Sequence, residues 1–289
     1  MTVPRTFPDQ LIIFDYSGTL SFEAAAFAKP ENLQEELKKS GLWNLGIQTP
    51  NLFWEQIVNP AWQEGSTTPI GYKKIIDQQV KRLFPQIRST LSDDHIFQAA
   101  SLFVDRYLEH SRIDARWRPL LQSLSRKVGL CLVVATDHYA EATGAILHFL
   151  KTWEIPATPL ATSPDTILTG RMIVANSADL GVHKADRRFW EILRKRLELD
   201  RLRHILLIDD FGVNEQESDA YADLQKAEKR RQQTIALLKA VFPADVQDFF
   251  FTIKLDSPLS SPEQLMDEAS RVIYRFLDRL LMTDLSREG

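Results

Sequence analysis

Residues 11–20 read LIIFDYSGTL. Leu11 to Phe14 form a short apolar run, Asp15 follows at once, and the turn-forming Gly18-Thr19 comes three residues later. A short apolar run bounded by turn residues fits a strand buried on both faces. A carboxylate at the end of such a strand stands where open α/β sheets gather their chemistry. The fold turns on whether more strands of this kind follow.

They do, at a distance. GLCLVVAT (129–136) and HILLID (204–209) are further apolar runs. Helical stretches alternate with them: RPLLQSLSRK (118–127), EATGAILHFLKTW (141–153) and DRRFWEILRKRLEL (186–199). TPLAT (158–162) reads as a short strand and ILTGRMIVA (167–175) as a hairpin. Alternation of this kind predicts an α/β fold with a doubly wound parallel sheet of Rossmann-like type. Between the first strand and the rest, the chain is helical. ENLQEELKKSGLW (31–43), NLFWEQIVNPAW (51–62), IGYKKIIDQQVKRLF (70–84) and SDDHIFQAASLFVDRYLEH (92–110) carry helical spacing and N-cap residues. We therefore expect a discontinuous core, residues 1–20 and 116–289, with a helical module at 21–115 inserted into it. The tail adds a long helix at 215–242, a strand at 248–255 and a helix from Ser261. That last helix opens on the capping-box pair Ser261 and Gln264, with Leu265, Ala269, Val272, Phe276 and Leu280 as its apolar stripe.

Composition narrows the function. The 289 residues carry a net charge of −4, which argues against a nucleic-acid binder. The basic run Lys229-Arg230-Arg231 lies among polar helical residues and reads as a solvated face. The single cysteine, Cys131, lies in an apolar run and reads as a small core residue, which fits a reducing, cytoplasmic home. The first residues lack the apolar segment of a signal peptide. No apolar run approaches the ~20 residues of a membrane helix, so no membrane partner is expected.

Reading off the carboxyl ends of the strands gives Asp15, Thr136 and the pair Asp209-Asp210, with Lys184 at a helix start. Clustered carboxylates repel unless a cation joins them, and an oxygen-rich site of few ligands suits Mg²⁺ completed by water and phosphate. A carboxylate can also attack phosphorus. A lysine and a metal ion offset charge on a transferring phosphoryl group.

In these motifs the chain resembles the haloacid dehalogenase (HAD) superfamily of phosphohydrolases. That family's Asp-x-Asp-Gly-Thr-Leu motif stands here as FDYSGTL. Its strand ending in Ser or Thr is LVVAT, ending at Thr136. Its helix-start lysine lies in GVHKAD, with Ala185 where proline is usual. Its acidic pair lies in LLIDDFGVN. The resemblance covers about residues 9 to 216, with the helical insertion where that family carries its cap. It implies Asp15 as nucleophile and a Mg²⁺ ion held by Asp15, the Ser17 carbonyl and Asp210, with Asp209 binding it directly or through water. It implies Thr136 and the N–H groups after it, including that of Asp137, on the phosphoryl oxygens. Lys184 would balance charge and Asn214 would orient the last loop. The implied substrate is a small phosphorylated metabolite, hydrolysed through an aspartyl-phosphate.

Ser17 departs from the family pattern, which has an acid there to protonate the leaving group and activate water. Serine does neither well, and general acid–base catalysis is worth roughly 10² to 10⁴ in rate. Other readings therefore stay open. Asp137 or His138 could supply the proton. The protein could be an impaired relative that binds a phospho-ligand or a partner protein. It could also cleave phosphonates with a cap lysine (Lys29, Lys73 or Lys74), or act on carbon–halogen bonds, although a metal-free dehalogenase has no use for Asp209-Asp210. Trp43, Phe53, Trp54 and Trp62 could face a ligand, but at helical spacing they read as core.

Overall fold

A computed structural model describes residues 7–86, 92–162, 170–214, 224–252 and 261–285. Six parallel strands form one sheet: β1 (Gln10–Phe14), β2 (Leu130–Thr136), β3 (Ala157–Pro159), β4 (Met172–Asn176), β5 (His204–Asp209) and β6 (Asp245–Phe250). Their order is β3-β4-β2-β1-β5-β6. The chain passes from β1 to β2, out to the edge at β3 and back to β4 between them, then crosses to β5 and β6 on the other side of β1. The crevice at the carboxyl ends of β1 and its two neighbours is the switch point where such sheets bind ligands.

The apolar runs are buried on both faces because helices cover both. Ile12 and Phe14 of β1 pack into one cluster with Leu132, Val134 and residues of α7 (Arg118–Leu124), α8 (Glu141–Thr152) and α12 (Pro262–Leu285). Leu11 and Ile13 point the other way, towards α9 (Ser177–Leu180), α10 (Arg187–Arg196) and α11 (Leu224–Val241). That is the two-residue period of a strand, with both faces apolar. The α12 capping box forms: the Gln264 N–H donates to Ser261 Oγ at 3.3 Å and the Ser261 N–H to Gln264 Oε1 at 3.2 Å. Leu265, Ala269 and Phe276 of its stripe are buried against the sheet. Leu280 lies outside the described side chains, as do residues 215–223 of the long helix expected at 215–242.

Two expectations are corrected. The strand expected at 248–255 runs instead over Asp245–Phe250, where it pairs in parallel with β5. Met172–Asn176 is not the second limb of a hairpin. It pairs in parallel with β2 along its whole length and with β3 over Met172 to Val174, so both of its edges are taken there. Residues 167–169, the other limb, lie outside the described residues.

Between β1 and β2 the helical cap comprises α1 (Phe22–Phe27), α2 (Pro30–Ser40), α3 (Pro50–Leu52), α4 (Asn59–Gly65), α5 (Tyr72–Leu83) and α6 (Asp93–His110). It has a core of its own, including Leu37, Phe53, Ile57, Ile76, Phe103 and Val104. From α3 to α4 the chain stays helical through a π-helical turn, Phe53–Val58. Pro60 cannot give an N–H to the Gln56 carbonyl, which takes Arg82 Nη2 at 3.5 Å instead. The chain leaves and re-enters the sheet layer at one place, where the Asp114 N–H donates to the Leu20 carbonyl at 2.9 Å. Among the described residues, no helix is long and apolar enough to cross a membrane.

Candidate active site

Strand β1 delivers Asp15 buried at its carboxyl end, and the turn after it folds back on itself. The Ser21 N–H donates to the Tyr16 carbonyl at 2.8 Å and the Gly18 N–H to the Ser21 carbonyl at 2.9 Å. Gly18 has φ +77, the left-handed region that favours glycine. A Cβ there would lie 2.3 Å from Asp210 Oδ2, so the missing side chain lets the turn lie against the acidic pair.

Strand β5 delivers Asp209 and Asp210, and local backbone donors fix both. Asp209 Oδ1 accepts the Phe211 N–H at 2.6 Å. Asp210 accepts the Gly212 N–H at 3.1 Å and the Asn214 N–H at 3.0 Å. Asn214 Nδ2 donates to the carbonyls of Gly18 (2.7 Å) and Phe251 (3.0 Å), so it ties the β1 turn to the last loop and to the end of β6. Thr19 Oγ1 accepts the Asp210 N–H at 3.0 Å. Tyr16 is fully buried and donates its hydroxyl to the Ser111 carbonyl, which anchors the turn to the end of α6.

Lys184 reaches across from the loop before α10. Its Nζ donates to Asp15 Oδ1 at 2.5 Å and to Asp209 Oδ2 at 3.0 Å. Its carbonyl accepts Trp190 Nε1 at 2.8 Å, and its N–H donates to Asp137 Oδ1 at 2.8 Å. The structure thus brings together Asp15, Lys184, Asp209 and Asp210, with Thr136 and Asp137 at the end of β2 lining the same cavity. Ser17 is half-buried on that cavity, and Asn214 braces the loops behind it.

Charge in this cluster is unbalanced. Carboxylate oxygens of Asp15, Asp209 and Asp210 lie within 4.8 Å of one another, all three residues are buried, and one lysine faces them. Burial pushes the Asp15 carboxyl well up; Lys184 pulls it down, and Asp209 and Asp210 push it further up. Burial and Asp209 push Asp210 up to about 7. Burial alone would lower Lys184, but Asp15, Asp209 and Asp137 outweigh this and hold it charged. The set therefore takes up either a proton or a second cation, and its all-oxygen chemistry fits a hard divalent ion such as Mg²⁺.

His138 is no proton donor at neutral pH. Burial lowers it to about 4. Its Nδ1 accepts the Tyr139 N–H at 2.8 Å, so Nε2 carries the proton and faces Tyr107 Oη at 2.8 Å. Asp137 is pushed up by burial. Among the cap lysines, Lys73 pairs with Asp105 at 2.5 Å and Lys74 is exposed; neither they nor Lys29 line the cavity.

Two readings of the sequence change. Phe53, Trp54 and Trp62 line the cavity rather than serving as core alone, while Trp43 lies outside it under Lys38 Nζ, 5.2 Å from the ring centroid. The basic run on α11 is not wholly a solvated face. Arg231 pairs with Asp248 at 2.6 Å, but Lys226, Lys229 and Arg230 line the cavity, together with Gln233 and Thr234. Their spacing of three, four, seven and eight residues from Lys226 is one helix face, a signal present in the sequence.

The sequence matches no protein-family model and no curated protein. Among solved structures, the fold is similar to a 2-haloacid dehalogenase from Pseudomonas syringae pv. Tomato DC3000, with 14% identity and a TM-score of 0.48, covering 88% of this chain and 90% of that one. It is also similar to the putative HAD-hydrolase YfnB from Bacillus subtilis, solved bound to magnesium, with 15% identity and a TM-score of 0.46, covering 92% of this chain and 98% of that one. At these values the likeness assigns no residue a role.

Proposed function

We propose that the protein is a Mg²⁺-dependent phosphohydrolase acting on a small phosphorylated metabolite, with 21–115 as the substrate-selecting cap over a core of 1–20 and 116–289. The observation that carries this reading is the Lys184 ammonium bridging Asp15 and Asp209, with Asp210 beside them.

In this reading an oxygen of Asp15 attacks phosphorus as the ester P–O bond breaks, which leaves an aspartyl-phosphate and an alkoxide. Lys184 pulls the Asp15 carboxyl towards its ionised form against the effect of burial, aims it, and offsets charge on the phosphoryl oxygens. Thr136 and the N–H of Asp137 hold those oxygens. Mg²⁺, held by Asp15, Asp209, Asp210 and the Ser17 carbonyl, would supply further charge compensation. Water then attacks the aspartyl-phosphate, releasing phosphate and restoring Asp15. Ser17 is a weak proton donor for the first step and a weak base for the second, and neutral His138 does not replace it. Turnover is therefore slow on alkyl esters and faster on esters with good leaving groups.

The test is a panel of phosphate esters with Mg²⁺, run beside Asp15→Asn. The reading expects hydrolysis that Asp15→Asn abolishes. Hydrolysis unchanged in Asp15→Asn, or none on any ester, would overturn it and leave a phospho-ligand-binding or protein-binding role.

A further inference from the structure

The cavity above Asp15 encloses about 750 Å³, several times what a phosphoryl group fills, so most of it receives the rest of the substrate. Its walls differ in kind. The charged lining residues come from the loops of the sheet (Asp15, Asp137, Lys184, Asp209, Asp210) or from α11. The cap's contribution includes Phe27, Phe53, Trp54, Trp62, Phe103 and Tyr107, and no charged side chain among the described residues. Asn59 supplies its one carboxamide. Beside Phe27, α1 and its C-cap give the same wall small side chains: Ala24, Ala25 and Ala28 also line the cavity. Small side chains among large rings leave room for a bulky body. The rings are held in place by their neighbours: Phe53 lies 4.9 Å from Phe103, Phe27 lies 5.3 Å from Tyr107, and Trp62 packs edge-on to Tyr139 at 5.4 Å, measured between ring centroids.

From these walls we infer the substrate class: a phosphate monoester whose alcohol carries a bulky apolar body, ring-bearing or branched, received by the cap's aromatic rings and the alanines of α1. The inference rests on the phosphohydrolase reading for its reacting end. The cap wall offers a polar body few partners, Asn59 and the N–H and hydroxyl groups of its rings, so the several hydroxyls of a sugar or the ammonium of an amino-acid phosphate would lose more water contacts there than they gain partners. An apolar body gains by burial there, in proportion to the area it removes from water.

A matched series tests it: ethyl, 2-phenylethyl and 2-carboxyethyl phosphate. All three have primary alkoxide leaving groups, so preference reports on the body. Two readouts are taken, kcat/KM with Mg²⁺ on the wild type, and dissociation constants from tryptophan fluorescence on Asp15→Asn with Mg²⁺. The expected result is that 2-phenylethyl phosphate is favoured over ethyl phosphate by at least about tenfold in binding, the scale of discrimination apolar pockets achieve. Ala28→Phe, which takes up part of the apolar space, shrinks that ratio towards one. Ala28 is half-buried and forms the C-cap of α1, so the added ring enters the cavity rather than a packed core.

Equal binding of the three esters would overturn the inference. So would a preference for 2-carboxyethyl phosphate, which would mark the α11 lysines as a second anion site. Binding that favours the phenyl ester, with no turnover of it or of an aryl phosphate, would uphold the apolar chamber and sink the phosphohydrolase reading. Turnover without preference would do the reverse.

Discussion

Gly18→Ala tests the geometry of the site more sharply than removing a charged group, because the change adds one methyl and no chemistry. An alanine at φ +77 meets a backbone cost of roughly 1–2 kcal/mol. Its Cβ would then lie 2.3 Å from Asp210 Oδ2 and 2.8 Å from Asp210 Cγ, about 1 Å inside ordinary contact. Asp210 cannot swing away cheaply. It is buried, and its two oxygens accept the N–H groups of Gly212 and Asn214. Either the β1 turn or the acidic pair must shift by about 1 Å, a misplacement that can cost about 10² in rate. Gly129→Ala is the matched control. It has φ +79, but its nearest neighbour, Asp9 Oδ1, would be 3.5 Å from the new Cβ. Both variants therefore carry the backbone cost, and Gly18→Ala alone carries the clash. The assays are thermal unfolding with and without Mg²⁺, and hydrolysis of an aryl phosphate. Gly129→Ala should lose a few degrees of Tm, at ~2–4 °C per kcal/mol for a chain of this size, and keep its activity. Gly18→Ala should lose more, lose the Mg²⁺-induced shift, and fall about 10²-fold in kcat/KM. If Gly18→Ala matched Gly129→Ala in Tm, Mg²⁺ response and activity, Asp210 would not lie against the β1 turn and the described site would be wrong.

Two further outcomes follow from the same geometry. Ser17→Asp should raise hydrolysis of alkyl phosphates by up to about 10²-fold, the lower range of general acid–base gains; no gain with Mg²⁺ binding intact would mean that the missing acid is not what limits turnover. Burial keeps protons on Asp15 and Asp210 in the folded chain at pH values where the unfolded chain, with carboxyl pKa near 3.9, has lost them. The folded state then binds more protons than the unfolded one from about pH 4 up to the folded pKa, about 7 for Asp210, so stability of the metal-free protein falls as pH rises through that window. Mg²⁺ competes with these protons, and the Tm gain on adding it should be larger at about pH 8 than at about pH 5; a gain independent of pH would contradict the charge balance described for the three carboxylates.

Much of the fold was legible because its signals are local. β1, β2 and β5 are apolar runs flanked by turns, and Asp15, Thr136 and Asp209 sit at or just beyond their ends. Lys184 was legible through its place before a helix. β4 was misread because an apolar run of five looks the same in a hairpin and in a parallel sheet, and pairing with β2 and β3 decides between them. Tyr16 and Thr19 were missed because their partners, Ser111 and Asp210, are 95 and 191 residues away along the chain. The α11 run was misread because a basic helix face has one composition whether it meets solvent or a cavity. Only the fold brings Lys226 and Lys229 to the same space as Asp15. The cap aromatics posed the same ambiguity: Phe53 belongs to the cap core and to the cavity wall at once.

The central claim is that Asp15 takes a phosphoryl group. Because Ser17 is a poor activator of water, the aspartyl-phosphate should persist long enough to be trapped. The direct measurement is intact mass after a brief reaction with an aryl phosphate and Mg²⁺, quenched in acid, with peptide mapping of any adduct. The account predicts the mass of one phosphoryl group on the wild type, located at Asp15, and none on Asp15→Asn or without Mg²⁺. An adduct on another residue, or ester hydrolysis that continues in Asp15→Asn, would contradict it.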